Sequence, residues 1–247
     1  MPRLAVVVGR GIISSPTPFL DEPLPAGVNC PLSGFSGPAF KETAVAKNQP
    51  APPKFTKEQL REGIPIPRFS TEGTPAAVEQ GFKNYLKQTI DLGRRLGGIA
   101  LNGGGIDYDR LLIRHGRMYR GRVLSGSIAA CKKWAKSTKP KIKDCYCNAA
   151  SFALDHEQAI YFEGYYLDAL MPILHAWNLV DGKIVDFTME AADKTRKGKA
   201  NLTSLYFGVE IPTAFVSKQI ARTEEYAPIA DLYLRQLEGR RKRKPKA

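Results

Sequence analysis

The sequence has no apolar run long enough to cross a membrane or to form the core of a signal peptide. At the N-terminus, MPRLAVVVGRGII, the hydrophobic residues are interrupted by Arg10 after only a few positions. A transmembrane helix needs about 20 consecutive apolar residues, and a signal peptide needs an apolar core of about 7 to 15. These absences predict a protein that is not secreted through a signal peptide and has no membrane partner.

Cysteine and histidine are also scarce. The 247 residues include four cysteines and three histidines. Four thiols in a chain of this length do not form the dense disulfide framework of small secreted proteins, and without an export signal we predict that they are reduced. A thiol is therefore available as a nucleophile. The four cysteines are Cys30, Cys131, Cys145 and Cys147.

Acidic residues are outnumbered by basic ones. The chain has 37 Lys and Arg against 24 Asp and Glu, for a formal net charge of +13. This excess predicts an anionic partner such as nucleic acid or an acidic protein surface. The 43% hydrophobic and 25% charged residues are ordinary globular values and argue against a wholly disordered chain.

Proline is concentrated at one end of the chain. Thirteen of the 18 prolines fall between Pro2 and Pro75, in a stretch with no helical or strand periodicity. We predict a proline-rich extended arm over residues 1–74 and an α+β domain over residues 75–238. The remaining residues, 239–247, predict a basic tail that is either solvated or binds an anion.

The predicted domain begins with helical patterns. TPAAVEQGFKNYLKQTIDLGRRLGG predicts a helix with Thr74 as its cap and Pro75 in its first turn. Further helices are predicted over about residues 125–136, with Cys131 in the core, and after Asp144, which we expect to cap DCYCNAASFALD. The predicted inner faces of the first and last helices comprise Val78, Phe82, Tyr85, Leu86 and Ile90, and Ile229, Leu232, Tyr233 and Leu237.

Strand patterns dominate the second half. AIYFEGYY and SLYFGVEIP predict strands, and HAWNLVDGKIVDFT, residues 175–188, predicts a hairpin about a type I′ turn at Asp181-Gly182. Helices followed by antiparallel strands predict an α+β fold. A two-residue loop fixes the register of the hairpin. The predicted pairs are Val180 with Lys183, Asn178 with Val185, and Trp177 with Asp186.

This register makes His175 and Asp186 diagonal neighbours on one face of the hairpin. A carboxylate beside an imidazole fixes its tautomer and stabilises the imidazolium, which a base assisting a nucleophile requires. A structural His–Asp pair on a half-buried sheet is the alternative. The candidate nucleophile is Cys145, because the first turn of a helix presents exposed N–H groups that favour a thiolate.

Three other motifs give weaker indications of a functional site. LNGGGIDYD lacks the Gly-Lys-Ser/Thr ending of a phosphate loop and predicts a flexible turn, so no cofactor is predicted. Cys145 and Cys147, with His156 or His175, lack the usual spacing of a structural zinc site, and no metal is predicted. LLIRHGRMYRGR, with His115 and Tyr119, predicts either a solvated basic surface or a nucleic-acid contact with a stacked base.

Four pieces of the sequence together resemble a known family. CYCNAASF, FEGYY, HAW and VDFT, between about residues 144 and 188, are similar in order and content to the transglutaminase-like branch of the papain-like cysteine enzymes, in particular to small members encoded by phages. The resemblance implies a papain-like core of helices packed on an antiparallel sheet. It also implies Cys145 as nucleophile, His175 as general base and then acid, and Asp186 as the residue that orients His175.

The residues depart from the family in places. Cys147 lies two positions after Cys145 and is an alternative nucleophile. The Cys145 backbone N–H is the expected first donor of an oxyanion hole. Asn148 is a candidate second donor, or else an amide on the helix surface. Phe187 stands where the family often has proline.

The sequence therefore predicts thiol-dependent acyl transfer or hydrolysis, which includes peptidase, amidase and protein-crosslinking activity. The predicted partner is a protein substrate or neighbouring subunits of a large assembly, with nucleic acid as a further partner of the basic surface and tail. Two other functions stay open: a structural component of an assembly such as a virion, in which the enzyme-like core is retained for its shape, and a basic nucleic-acid-binding protein. The predicted location is the cytoplasm or the virion.

Overall fold

The structure is a computed structural model, and it describes residues 67–98, 100–168, 172–196 and 200–243. The predicted arm falls almost wholly outside these residues. The described part has an α+β fold with seven α-helices and five β-strands. The helices are α1 (Pro75–Arg95), α2 (Ile106–His115), α3 (Ala129–Thr138), α4 (Cys145–Asp155), α5 (Phe187–Arg196), α6 (Thr213–Thr223) and α7 (Ala230–Arg243). The strands are β1 (Arg117–Arg120), β2 (Ile160–Tyr166), β3 (Ile173–Val180), β4 (Lys183–Val185) and β5 (Leu205–Ile211).

The first helix follows its sequence pattern. Thr74 precedes the helix and its hydroxyl accepts a hydrogen bond from the Ala77 N–H at 3.3 Å, while Pro75 opens the first turn. Gly97 and Gly98, both with positive φ, follow its end. All five apolar residues predicted for its inner face are buried. Amphipathic spacing therefore predicted both the position and the orientation of α1.

The five strands form one antiparallel sheet in the order β1-β5-β2-β3-β4. The chain leaving β1 also reaches the opposite edge, where the Val123 N–H donates to the Ile184 carbonyl at 2.8 Å and Val123 bridges Val185 in parallel. The sheet is therefore curled, with its two edge strands joined by this crossing segment. No described helix is long and apolar enough to span a bilayer.

The curled sheet separates two apolar clusters. The larger cluster lies between the sheet and the helices and includes α1, α4, α6 and α7 residues. The smaller one is formed by alternate residues of the strands on the other face, which cross-strand pairing brings together. Its buried members are Phe162, Tyr166, Trp177, Ile184 and Tyr206. His175 shares this face, because it pairs with Gly164 and lies two residues from Trp177.

Two glycines permit close strand packing opposite His175. Gly164 pairs with both His175 and Gly208. A Cβ on Gly164 would lie 2.1 Å from the Phe207 carbonyl oxygen, and one on Gly208 would lie 2.5 Å from the Trp177 ring. Any side chain at these positions would force strands or rings apart, so both positions require glycine.

Several sequence-based boundaries are wrong. The second predicted helix begins at Ala129, because Ser125 in the preceding 3₁₀ turn is held by the Glu190 carboxylate through its N–H (2.7 Å) and its hydroxyl (3.0 Å). The strand expected over VDFT ends at Val185, and Phe187 begins α5. Helices α2, α5 and α6 were not predicted at all, since each is short and carries many polar residues.

The last helix differs from the prediction in one residue of its buried face and in the position of its C-terminal end. Leu232 is 38% exposed, whereas Leu234 is fully buried and faces the core instead. Helix α7 also continues to Arg243, into the segment predicted as a basic tail. Cys131, by contrast, is fully buried as predicted.

Candidate active site

Cys145 is the first residue of α4 and is 8% exposed. Asp144 stands at the cap position as expected, but its side chain makes no capping hydrogen bond. The carboxylate therefore does not occupy the N–H groups of the first turn. These groups and the helix dipole provide a positive environment beside the Cys145 sulfur.

The hairpin forms with the predicted register. Asp181 and Gly182 both have positive φ, as a type I′ turn requires. Asn178 pairs with Val185 and Val180 with Lys183. This register brings the His175 Nε2 to 2.7 Å from the Asp186 Oδ2. The hydrogen bond predicted between these two residues is thus present, and His175 and Asp186 are 5% and 2% exposed.

Cys145 adds a third residue to this pair. The Cys145 thiol lies beside the His175 imidazole and acts to raise the pKa of His175. Because Nε2 bonds to Asp186, Nδ1 is the ring nitrogen that remains for Cys145. One imidazole therefore connects the sulfur of α4 to the carboxylate at the end of the hairpin, which is the arrangement of a nucleophile, a base and an orienting group.

Asp186 accepts hydrogen bonds from four groups. Its Oδ1 accepts the backbone N–H groups of Thr188 (3.1 Å) and Met189 (2.9 Å) in the first turn of α5. Its Oδ2 accepts the Tyr206 hydroxyl at 2.9 Å in addition to the His175 Nε2–H. These bonds hold both carboxylate oxygens in fixed directions, so the carboxylate can orient the imidazole.

The charged forms of His175 and Asp186 stabilise each other. Burial lowers the pKa of His175, but the Asp186 carboxylate and the hydrogen bond and charge of Cys145 outweigh burial and raise it to about 10. Burial raises the pKa of Asp186, but the His175 cation and the hydrogen-bond donors around the carboxylate bring it below its ordinary value. Both directions favour an imidazolium beside a carboxylate at neutral pH.

Cys147 and Asn148 occupy other surroundings. Two residues turn a helix by about 200°, so Cys147 leaves α4 on a different side from Cys145. Its sulfur lies 3.9 Å from the Ser151 hydroxyl. Cys147 is disulfide-bonded, whereas Cys131 and Cys145 are free cysteines. The prediction that all four cysteines are reduced is therefore wrong, and Cys147 is not available as the alternative nucleophile. Asn148 is 6% exposed, so the expectation of an amide on the helix surface is wrong.

The Asn148 amide connects the two halves of the site. Its Nδ2 donates to the Lys141 carbonyl and to the Thr188 hydroxyl, each at 2.7 Å. Both amide hydrogens are therefore used, which removes Asn148 as an oxyanion donor. The side chain instead ties the loop before Cys145 to the turn after Asp186. Asn178 adds a second tie, because its Nδ2 donates to the Ala149 carbonyl of α4 at 3.0 Å.

The remaining histidines and the basic stretch lie elsewhere. His156 bonds through Nδ1 to the Phe152 carbonyl at 3.1 Å, and His115 bonds to Glu238 at 2.8 Å. Tyr119 is half-buried and packs edge-on against Phe162, with 5.0 Å between the ring centroids. In the described ranges no group of three or more His, Cys, Asp or Glu is arranged to hold a metal ion.

Sequence patterns did not reveal Tyr206 as part of the site. Its hydroxyl reaches Asp186 only because β5 inserts between β1 and β2 in the sheet. That pairing joins residues far apart in the chain, and no local pattern encodes it. The sequence also did not predict the hydrogen bond from Asn148 to Thr188, because the pattern of a short helix does not indicate a partner 40 residues away.

Comparison with known proteins gives no match to a model of any protein family, to a curated protein or to a solved structure.

Proposed function

We propose that the protein is a cysteine-dependent acyl-transfer enzyme with a papain-like core of the transglutaminase type. The observation that carries the proposal is the hydrogen bond between His175 and Asp186, with Cys145 beside the same imidazole. The order of these residues in the chain, and a helix that begins at the cysteine, support the relationship to the transglutaminase-like family. Cys145 is the nucleophile, His175 the general base and acid, and Asp186 the orienting residue.

The reaction begins when the Cys145 thiolate attacks the carbonyl carbon of an amide or ester. A C–S bond forms while the carbonyl oxygen becomes an oxyanion, for which the Cys145 backbone N–H is a donor. When the intermediate collapses, the bond to the leaving group breaks and His175 donates its proton to that group. The product of this half-reaction is a thioester between the substrate acyl group and Cys145.

The second half-reaction releases the acyl group. Water or an amine attacks the thioester carbonyl and loses a proton to His175, and the Cys145 thiolate leaves. Water gives hydrolysis, and a primary amine gives a new amide and hence a crosslink. Throughout, Asp186 keeps the Nε2–H of His175 directed at itself, so Nδ1 exchanges the proton with the reacting groups.

The first test measures alkylation of Cys145 by iodoacetamide from pH 5 to 9, located by peptide mass spectrometry. A neighbouring imidazolium sustains labelling at pH 6, where ordinary thiols react slowly because their pKa is about 8.5. We expect His175→Ala to lose this labelling at pH 6. Cys147→Ser is the matched control, because it removes the second cysteine of the same peptide, which is disulfide-bonded, and should leave the rate unchanged.

The second test measures turnover. The protein is incubated with a glutamine-rich protein substrate and a dansyl-labelled primary amine, and both amine incorporation and ammonia release are followed. Cys145→Ala should abolish both, and Cys147→Ser should abolish neither. Labelling of Cys145 like an ordinary thiol, with no turnover, would contradict the proposal and favour the structural role in an assembly. The protein and nucleic-acid partners expected from the sequence stay predictions.

A further inference from the structure

The crossing segment after β1, residues 121–125, holds helix α5 at two points. The Ser125 N–H and hydroxyl donate to the Glu190 carboxylate at 2.7 and 3.0 Å. The Arg122 Nη2 donates to the Asp193 carboxylate. Glu190 and Asp193 are three residues apart, so they lie on the same side of α5. The crossing segment therefore fixes both the position of this helix and its rotation about its axis.

The same helix sets the direction of the Asp186 carboxylate. The Asp186 carbonyl accepts the Glu190 N–H at 3.0 Å, so Asp186 is the residue that caps α5. Its Oδ1 accepts the N–H groups of Thr188 and Met189 in the first turn. A rotation of α5 would move these donors, and the carboxylate that bonds to His175 would turn with them. The contacts of the crossing segment thus act on His175 through α5.

Arg122 also places a buried positive charge near the candidate site. The residue is 3% exposed, and burial lowers its pKa. The hydrogen bond to Asp193 and the nearby Tyr206 and Asp186 outweigh burial and raise that pKa. Tyr206 donates its hydroxyl to Asp186 at 2.9 Å, and its ring centroid lies 6.4 Å from that of His175. The Arg122 cation therefore acts on the same carboxylate as the His175 cation.

Stability alone does not explain why an arginine is buried at this position. The Arg122 Nε and Nη1 are shielded from solvent, and no described residue accepts a hydrogen bond from them. Unpaired buried donors on a charged group cost free energy. A buried ion pair often stabilises a fold no more than apolar side chains of similar volume. An effect on Asp186, by contrast, requires both the charge of Arg122 and its bond to α5.

We propose that Arg122 is a positioning residue of the candidate active site. Its bond to Asp193 keeps α5 in the orientation that directs the Asp186 carboxylate at His175. Its charge favours the ionised form of the Asp186 carboxylate. This role rests on the acyl-transfer function proposed above, and Arg122 contributes to that function only through Asp186.

Amide hydrogen exchange, measured by NMR on the full chain, tests the positioning directly. The N–H groups of Thr188 and Met189 bond to Asp186, whereas those of the central strands β2 and β5 report on global stability. We expect Arg122→Met to accelerate exchange at Thr188 and Met189 about tenfold or more relative to the central strands. Arg122→Lys keeps the charge and can still bond to Asp193, so exchange should stay within about threefold of the parent.

Labelling of Cys145 at pH 6 tests whether this positioning matters to the site. Arg122→Met should lower the labelling rate about tenfold, and Arg122→Lys should retain most of the parent rate. Arg114→Met is the matched control, because Arg114 also bonds to a carboxylate of another helix, that of Glu238, at 3.3 Å. Arg114 is exposed, so its replacement should leave labelling and exchange within about twofold of the parent.

A double variant separates the loss of position from the loss of stability. Arg122→Met leaves the half-buried Asp193 carboxylate without its cation, which by itself destabilises the fold. Arg122→Met combined with Asp193→Asn removes both charges, so its free energy of unfolding in urea should lie closer to that of the parent. Exchange at Thr188 and Met189 should nevertheless remain fast in the double variant.

Two results would overturn the proposal. The first is exchange at Thr188 and Met189 that is unchanged in Arg122→Met, or that rises equally in the central strands. The second is labelling of Cys145 in Arg122→Met at the parent rate. If the parent itself shows no labelling at pH 6, the acyl-transfer proposal fails, and exchange at Thr188 and Met189 still decides whether Arg122 holds Asp186 in place.

Discussion

Two buried carboxylates on the same curled sheet have similar donors and opposite pKa shifts. Asp186 accepts one tyrosine hydroxyl, from Tyr206, and two backbone N–H groups at the start of α5. Glu163, on β2, accepts the Tyr161 hydroxyl at 2.7 Å and two backbone N–H groups at the start of α7. The backbone donors are Thr188 and Met189 for Asp186, and Ile229 and Ala230 for Glu163.

The difference between the two sites is His175. Burial raises the pKa of Glu163 to about 7, although all its hydrogen-bond donors act to lower it. Burial acts in the same direction on Asp186, but the adjacent His175 cation reverses the outcome and lowers that pKa. A hydroxyl and two N–H groups are thus not enough to keep a carboxylate ionised inside this fold, whereas a paired imidazolium is.

The largest expected effect comes from removing the charge of Asp186 while keeping its shape. Asp186→Asn leaves His175 without the carboxylate that stabilises its cation, so labelling of Cys145 at pH 6 should fall about a hundredfold or more. Glu163→Gln is the matched control and should leave labelling within about twofold. Equal losses in the two variants would mean that the carboxylates do not differ in function.

The second prediction removes His175 and makes Asp186 resemble Glu163. His175→Ala should lower the free energy of unfolding by about 3 to 5 kcal/mol near neutral pH, because a buried carboxylate loses its cation. In the parent protein, the Asp186 contribution is present above pH 3.8 and lost as the pH falls. The His175 contribution is complete below pH 6.5 and lost as the pH rises towards about 10.

In the variant, the pH dependence should reverse. An unpaired Asp186 has a raised pKa, so stability should decline as the pH rises above about 4. Urea unfolding at pH 5, 7 and 9 measures this. If the variant is as stable as the parent at pH 7, the imidazolium does not explain the difference between the two carboxylates.

The third prediction concerns Glu163. Its raised pKa stabilises the fold below pH 4.5, and this contribution is lost as the pH rises to about 7. The corresponding change is about 3 kcal/mol. Glu163→Gln should abolish this decline, so the difference in unfolding free energy between parent and variant should change by that amount between pH 4.5 and 7.5. A constant difference across this range would show that Glu163 does not change its charge there.

The smallest expected effects come from the two tyrosines. Tyr206→Phe removes a donor from an ionised carboxylate and should cost about 1 to 2 kcal/mol throughout pH 5 to 8. Tyr161→Phe removes the matching donor from Glu163, and its cost should grow as the pH rises past about 7, where that carboxyl ionises. If the loss of unfolding free energy depends on pH in the same way in both variants, Asp186 and Glu163 do not differ in ionisation as described.

Local sequence patterns predicted the parts of the site that depend on contacts between residues close together in the chain. The Asp181-Gly182 turn has two residues, which fixes the hairpin register and hence the meeting of His175 with Asp186. Cys145 followed from the start of an amphipathic helix. In each case the determining contacts lie within a few residues of one another in the chain, and such contacts leave a periodic signal.

The rest depends on contacts that the sequence does not signal. The inner position of Tyr206 requires β5 to lie between β1 and β2, and the role of Glu163 requires α7 to begin beside β2. Asn148 and Arg122 are polar residues whose burial follows from distant partners. Their surroundings form only when several elements pack together, so propensity and periodicity did not predict them.

The place of β5 in the sheet also sets an order of assembly during synthesis. Residues 117–120 and 160–166 emerge from the ribosome well before residues 205–211, yet β5 separates the first two strands in the sheet. Until β5 is made, β1 lacks the strand with which it pairs, and Asp186 lacks the Tyr206 hydroxyl. Such long-range pairing is slow to form. The nascent chain therefore carries Cys145 for some time before the sheet that completes the candidate site exists.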